Sequence, residues 1–379
     1  MSSNKDNNDV LYYNISIDNT SADTSGKSKG KFAESEVAKI VANNSNPIIA
    51  DPTQYYASIV RFSVPCFRVP LINFIVQTPI ITAEDVNKGL GTFTLNYNSI
   101  SSINSHHIFE PQILDTPIPP YPSQFQTFSP YYYLYSYTLL MEIWNKSLNI
   151  AFDDLKTKVD GALDAANTPF FYYNTQTQLI TLYAEAAYFD QSLEKPVYIY
   201  FNSVCQQFFN GFVFIEEQVG SESGLDDYFV VKNINTINQK TINSVLYDAM
   251  EQDYVSLAYL SPLKNIIITT NMNVNSEVFY VNSPSVIQNN NYINVLTDFI
   301  PDISGVNEAG IGSKIFIYNA PSLYRVFEFN SKTPLYTVSL GISWVDQLGN
   351  IYPLELVKGT IATVKIMFVK KTVFSKFLL

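Results

Sequence analysis

The chain has 379 residues, of which only 15% are charged and 15% aromatic, with 27 Tyr, 26 Phe and a formal net charge of -11. Charge well under the roughly 25% usual for soluble domains leaves a surface rich in Asn, Ser and Thr, and the tyrosine excess suits extended contact interfaces. The negative balance argues against a protein that coats nucleic acid, since phosphate neutralisation needs clustered Lys and Arg, and the length admits two or three compact units or one large β domain carrying an insertion.

Residues 1–31 are polar around one apolar island, VLYYNISI, and read as a flexible arm with one strand-like anchor. Two short basic clusters, Lys27, Lys29 and Lys31 near the start and Lys370, Lys371 and Lys376 near the end, read as a solvated arm and a charged edge strand. No basic, apolar and small-residue succession marks a leader peptide, and two cysteines, Cys66 and Cys205, provide no disulfide framework, so a reducing compartment is expected. FAESEVAKIV (32–41) fits a short helix or an alternating strand equally well.

DPTQYYASIVRFSVPC (51–66) reads as a strand with no wet side. Strict alternation places Tyr56, Val60, Phe62 and Val64 on one face and Tyr55, Ala57, Ile59, Arg61 and Ser63 on the other. The apolar stretch that follows, 64–81, is cut by Pro65, Pro70 and Pro79 and carries Arg68, so it is not a membrane span. The Pro-rich segment 111–130 cannot join a sheet interior. It leads into YTLLMEIWNKSLNIAFDDLKTKVDG, whose Tyr137, Leu140, Met141, Trp144, Leu148, Ala151, Phe152, Leu155 and Val159 keep the three-four spacing of a helix, with Gly161 placed to end it.

TPFFYYNTQTQLITLY then predicts a hairpin and PVYIYFNSVCQQFFNGFVFI a strand entering a bend. From about Tyr247 strands return, the clearest carrying Tyr336, Val338, Leu340, Ile342 and Trp344 on one side, followed by a turn at Asp346–Asn350. The pattern is a β-sandwich split by an insertion.

Candidate chemistry is sparse. His106 and His107 are adjacent and point to opposite faces of a strand, so no zinc spacing exists, and a Cys–His nucleophile pair would need a fold to assemble it. Asp153 and Asp154 read as a solvated helix face, Asp154 pairing with Lys158, and Asp226–Asp227 resembles another carboxylate pair without a cleft. VGSESG (219–224) reads as turns, and no dinucleotide fingerprint, P-loop or nucleophile elbow is present. The profile favours assembly over catalysis, with no metal and no cofactor expected.

Three stretches, NNSNPIIADPTQYYASIVRFSVPCFRVPLI (43–72), SPYYYLYSYTLLMEIWNKSLNIAFDDL with the aromatic segments after it, and RVFEFNSKTPLYTVSLGISWVDQLGNIYPLELVKGTIATVKIMFVKK (325–371), together resemble the minor capsid or penton protein of virophages and Polinton-like viruses. The resemblance implies a mainly β chain, a single jelly-roll β-sandwich with a large α/β insertion lobe, divided as arm 1–31, first jelly-roll part 32–86, insertion 87–235 and remaining jelly roll 236–379. It implies a homopentamer closing each icosahedral vertex among major capsid protein trimers, in a virion assembled in the host cytoplasm. The lobe would project outward toward a host surface glycan or receptor, with nucleic acid contact confined at most to the basic termini. A ring contact needs interface residues, and Tyr55, Ile59 and Arg61 on the second face of the 55–65 strand, with Arg68 nearby, are the candidates. The alternatives are a carbohydrate- or receptor-binding module acting at the vertex and, ranked below it, a hydrolase in the insertion.

Overall fold

The computed structural model describes residues 9–19, 35–75, 90–109, 131–217, 228–231, 238–256, 260–275, 277–280, 292–301, 315–320, 325–347 and 349–374. The chain forms two compact units, the first made of residues 1–70 and 262–379 and the second of residues 71–261. Unit 2 is therefore inserted into unit 1, and it extends on both sides beyond the 87–235 anticipated from sequence.

In chain order, unit 1 begins with β1 (Val10–Asp18), β2 (Lys39–Asn43) and β3 (Tyr55–Pro65). Unit 2 contributes β4 (Thr92–Tyr97), α1 (Tyr137–Lys158), β5 (Phe170–Tyr173), β6 (Ile180–Glu185), β7 (Val197–Asn202), α2 (Ser203–Phe209) and β8 (Val245–Glu251). The chain returns to unit 1 for β9 (Leu263–Thr270), β10 (Tyr292–Phe299), β11 (Ile315–Asn319), β12 (Phe327–Phe329), β13 (Thr337–Asp346), β14 (Ile361–Lys370) and α3 (Lys371–Phe374).

The strands of unit 1 pair in a nested way. β1 lies antiparallel to the last strand, β14, from Val10↔Val369 to Asp18↔Ile361. β2 pairs with β13, β3 with β11 and β12, and β9 with β10. Cross-pairing of β14 with β3 and of β9 with β13 welds these hairpins into two sheets. A doubled hairpin rolled in this manner is a single jelly roll, so the chain is mainly β and of that fold. The sheet ordering explains why Val10–Asp18 is not part of a flexible arm. Its alternating Ile15 and Ile17 are 3% and 5% exposed, so pairing with β14 buries one face, and residues 1–8 and 20–34 fall outside the described ones. The described part of the 32–41 stretch resolves as strand, because Glu355–Val357 pairs with Ser35–Val37 and β13 offers β2 a partner edge, both of which a short helix would leave unpaired.

β13 shows the half-buried pattern anticipated from its sequence at Val338, Leu340, Ile342 and Trp344, which are at 0–6% exposure, whereas Tyr336, expected on the same face, precedes the strand and is 42% exposed. Its turn closes through Asp346, whose carboxylate accepts from Asn350 N at 2.8 Å, and Gly349 takes the φ of +86° that the reversal needs.

Unit 2 is built around α1. Ser136 Oγ caps it by accepting from Leu139 N, and Asp160 and Gly161, at φ +48° and +80°, end it. Its buried face runs through Leu140, Met141, Trp144, Leu148, Ala151, Phe152 and Leu155 and packs against β4 and β5. β5, β6, β8 and Gln239–Ile242 form a four-stranded antiparallel sheet, and β4 and β7 lie in a second one. Pairing of β8 with β6, Thr181↔Glu251 through Glu185↔Tyr247, draws residues past 235 into this unit.

Candidate functional site

The two apolar faces of β3 have a local cause. Opposite β14, Arg61 faces Lys365 but Ile59 faces Ile366, so Val60 is an extra residue, a β-bulge. The bulge resets the alternation midway. Ala57 and Ile59 before it and Phe62 and Val64 after it are all 0–2% exposed. Phe62 lies edge-on to Phe299 at 4.6 Å and stacks on Tyr318 at 5.0 Å. Tyr56 and Val60 fall on the other side and pack with Met367, Val369, Val373 and Phe374, so the C-terminal helix α3 covers one end of the outer face. Phe374 meets the Tyr56 ring at 4.9 Å, and Lys371 stands 5.0 Å over the same ring while pairing with Glu328 at 3.0 Å.

Beyond the bulge the outer face is open. The register aligns Asn319, Arg61, Lys365 and Asn14 as one row across β11, β3, β14 and β1. Two cations directly opposite each other repel, and no carboxylate among the described residues pairs with either. Lys365 instead stands 4.6 Å over the ring of Tyr12. Around this row Tyr12, Ile315, Ile317 and Ile361 are 39–52% exposed. Arg and Tyr framed by exposed aliphatic side chains compose a surface that gains by being covered.

The four sequence candidates separate on this strand. Arg61 is exposed on the open face. Ile59 is 2% exposed and belongs to the sandwich interior, because the bulge turns it inward, which corrects its assignment to a contact face. Tyr55 is half-buried opposite Lys370 at the far end of β3, and Arg68 is half-buried in the turn after the strand, where Val69 N donates to Cys66 O at 3.0 Å. Sequence reading missed Lys365, although it too is a lone cation inside an apolar strand, IATVKIMFV. Of the basic clusters, Lys370 pairs with Asp9 at 3.3 Å and Lys371 with Glu328, whereas Lys27, Lys29, Lys31 and Lys376 lie outside the described residues.

In unit 2 the fold does assemble a Cys–His pair. His107 Nε2 lies 3.3 Å from Cys205 Sγ, at 1% and 0% exposure respectively. Gly91, at φ +99°, makes the approach feasible, since a Cβ there would sit 2.2 Å from Cys205 Sγ. Phe93 and Trp144 wall the imidazole at ring distances of 4.6 and 6.5 Å. Burial, with a smaller contribution from the His106 charge, holds the imidazole neutral down to about 3, and burial pushes the thiol up from its ordinary range. A nucleophile needs the opposite, an accessible thiolate beside a protonatable base. The pair is a packing element.

Asp154 pairs with Lys158 at 2.7 Å and accepts from Ile103 N at 2.7 Å, as a solvated helix face would, while Asp226–Asp227 and 219–224 lie outside the described residues. Among the described residues no group of three His, Cys, Asp or Glu is placed to hold a metal, and no helix is long and apolar enough to cross a membrane.

Comparison with known proteins gives concordant results. A family model described as Sputnik minor capsid protein V18/19 matches residues 11–370. Structural protein V19 of Sputnik virophage is 31% identical over 218 residues, covering 55% of this chain and 96% of that protein. Uncharacterized protein V18 of the same virophage is 30% identical over 137 residues, covering 35% of this chain and 77% of that protein. A chain of the cryo-EM structure of the Sputnik virophage superposes with a TM-score of 0.72 at 27% identity, over 97% of this chain and 99% of that one. The mavirus penton protein superposes with a TM-score of 0.56 at 16% identity over 95% and 98% of the two chains, a likeness of fold.

Proposed function

Because the chain belongs to the Sputnik minor capsid protein V18/19 family and is a structural component of a virophage capsid, we propose that five copies close each fivefold vertex of an icosahedral particle through the open sheet face around Arg61. The observation that carries this reading is the Asn319–Arg61–Lys365–Asn14 row, a solvent-facing pair of like charges with no carboxylate pairing either among the described residues and with exposed aliphatic and tyrosine side chains at its borders. A fivefold contact is heterologous, so one flank of a subunit fits a different flank of the next, and a cationic, partly apolar strand face suits one half of such a joint. Arg68, half-buried in the turn after the strand, would contribute at the margin of this face, whereas Tyr55 shares the side of Ala57 and Ile59 and is not part of it. The role is structural, in keeping with relatives that are capsid proteins, and neighbouring major capsid subunits would seat the ring.

The test is the state of the purified chain, alone and with capsid partner, measured by mass in solution and by imaging. Rings of five are expected for the native chain. An Arg61→Glu/Lys365→Glu variant should lose them while keeping its thermal midpoint. A native chain that never forms rings, or a variant that forms them unimpaired, would sink the assignment.

A further inference from the structure

The charge of this protein is divided very unevenly between its units. By sequence, unit 1 carries 16 Lys and Arg against 14 Asp and Glu, a formal +2, whereas unit 2 carries 7 against 20, a formal -13. A lobe of that sign attracts cationic partners and repels nucleic acid and acidic glycans.

One face of the four-stranded sheet of unit 2 shows where such attraction is focused. Phe170, Tyr183 and Tyr247 cluster on it, with ring centroids of 5.2 Å (Phe170–Tyr183), 5.6 Å (Phe170–Tyr247) and 6.5 Å (Tyr183–Tyr247). The chain already seats a cation there, because Lys240 Nζ stands 5.5 Å over the Tyr183 ring, in register with Tyr247 and Glu185. Glu185 is itself held by Asn167, whose N and Nδ2 donate to Oε2 at 2.7 and 2.9 Å. One row along the sheet the same combination of ring and carboxylate recurs without a cation. The register places Tyr172 opposite Thr181 and Thr181 opposite Glu251, so the three side chains share this face. Tyr172 is 52% exposed, and Thr181 Oγ1 donates to Glu251 Oε1 at 3.5 Å, steadying a carboxylate that has no ion pair among the described residues. The supporting strand is rigid: Asn145 on α1 donates to Phe171 O at 3.0 Å and accepts from Phe171 N at 2.7 Å, so the edge of β5 is tied down.

We infer that the Tyr172–Thr181–Glu251 row is a docking site for a cationic side chain presented by a lysine- or arginine-rich segment of a partner protein. The ring face supplies the quadrupole, Glu251 the countercharge, and the field of the whole unit raises the encounter rate. The inference stands apart from vertex closure, since it concerns a different unit and a different partner.

The experiment uses the full chain and a fluorescein-labelled peptide of alternating Lys and Ser, with a Gln and Ser peptide as the uncharged control, read by fluorescence anisotropy. The Lys peptide should bind, and more weakly at an ionic strength of about 0.15 M than at about 0.01 M. Tyr172→Ala and Glu251→Gln should each weaken binding about three- to fivefold, while Tyr172→Phe keeps it within about twofold. Asp153→Asn, which removes one charge from the exposed side of α1, should change it less than twofold. The proposal is overturned if the Lys peptide binds no better than its control, or if Asp153→Asn weakens binding as much as Glu251→Gln, which would make the attraction a property of net charge alone. Displacement of the peptide by a neutral oligosaccharide, maltohexaose, would reassign Tyr172 to sugar stacking and also overturn it. Far-UV circular dichroism and thermal midpoints matching the native chain certify each variant as folded, and a variant that fails this check is replaced by Tyr172→Leu or Glu251→Ala.

Discussion

Acidification should destabilise unit 2 through His107 in a way that one substitution can isolate. The imidazole is held neutral from its ordinary value of 6.5 down to about 3, first by burial and then by the charge of His106. In the unfolded chain the ring takes its proton near 6.5, so between 6.5 and 3 the unfolded state binds more protons than the folded one. Stability is therefore unaffected above that window and lost as pH falls through it. The loss comes to about 2 kcal/mol at pH 5 and about 3 kcal/mol at pH 4, relative to pH 7. Urea unfolding on a Trp344→Phe background makes Trp144, whose ring centroid lies 6.5 Å from that of His107, the reporter for unit 2. His107→Phe keeps an aromatic ring against Phe93 and cannot titrate. Carboxylates contribute equally to both proteins, so the difference between their pH profiles isolates His107. Parallel profiles for the two proteins between pH 7 and pH 4 would refute the reasoning.

Two further substitutions address the packing. Ile59→Ala should cost about 2–5 kcal/mol in thermal or urea unfolding, as truncation inside a sandwich does, whereas Arg61→Glu should leave the midpoint within about 0.5 kcal/mol of native; equal, small effects would return Ile59 to the surface. Gly91→Ala should lower the stability of unit 2 by more than about 2 kcal/mol, because the new Cβ meets Cys205 Sγ and takes a left-handed φ, and a Gly91→Ala/Cys205→Ala pair should recover part of that loss by relieving the clash.

How much of this was legible beforehand depends on the length over which each signal is repeated. The helix around Trp144 and the strand at Val338–Trp344 were readable, because each repeats its own period over many residues and is stopped by a residue suited to stopping it, Gly161 or Gly349. The low charge and high tyrosine content pointed to assembly before any fold was known. The single cation Arg61 was visible as an anomaly in its strand.

What tertiary structure decided are relations between distant residues. The bulge at Val60 arises from the pairing with β14, and it alone moves Ile59 inside and leaves Arg61 out. Whether VLYYNISI anchors an arm or serves as a sandwich strand depends on the far end of the chain, which supplies its partner. His107 meets Cys205 across 98 residues, and only enclosure by Phe93 and Trp144 makes the pair inert. The acidity of the insertion is written in the sequence, yet it acquires meaning only once residues 71–261 are known to fold together. Local order follows from short-range periodicity that the chain carries in every segment, whereas register, burial and the sharing of charge between units are set by pairings that no local window contains.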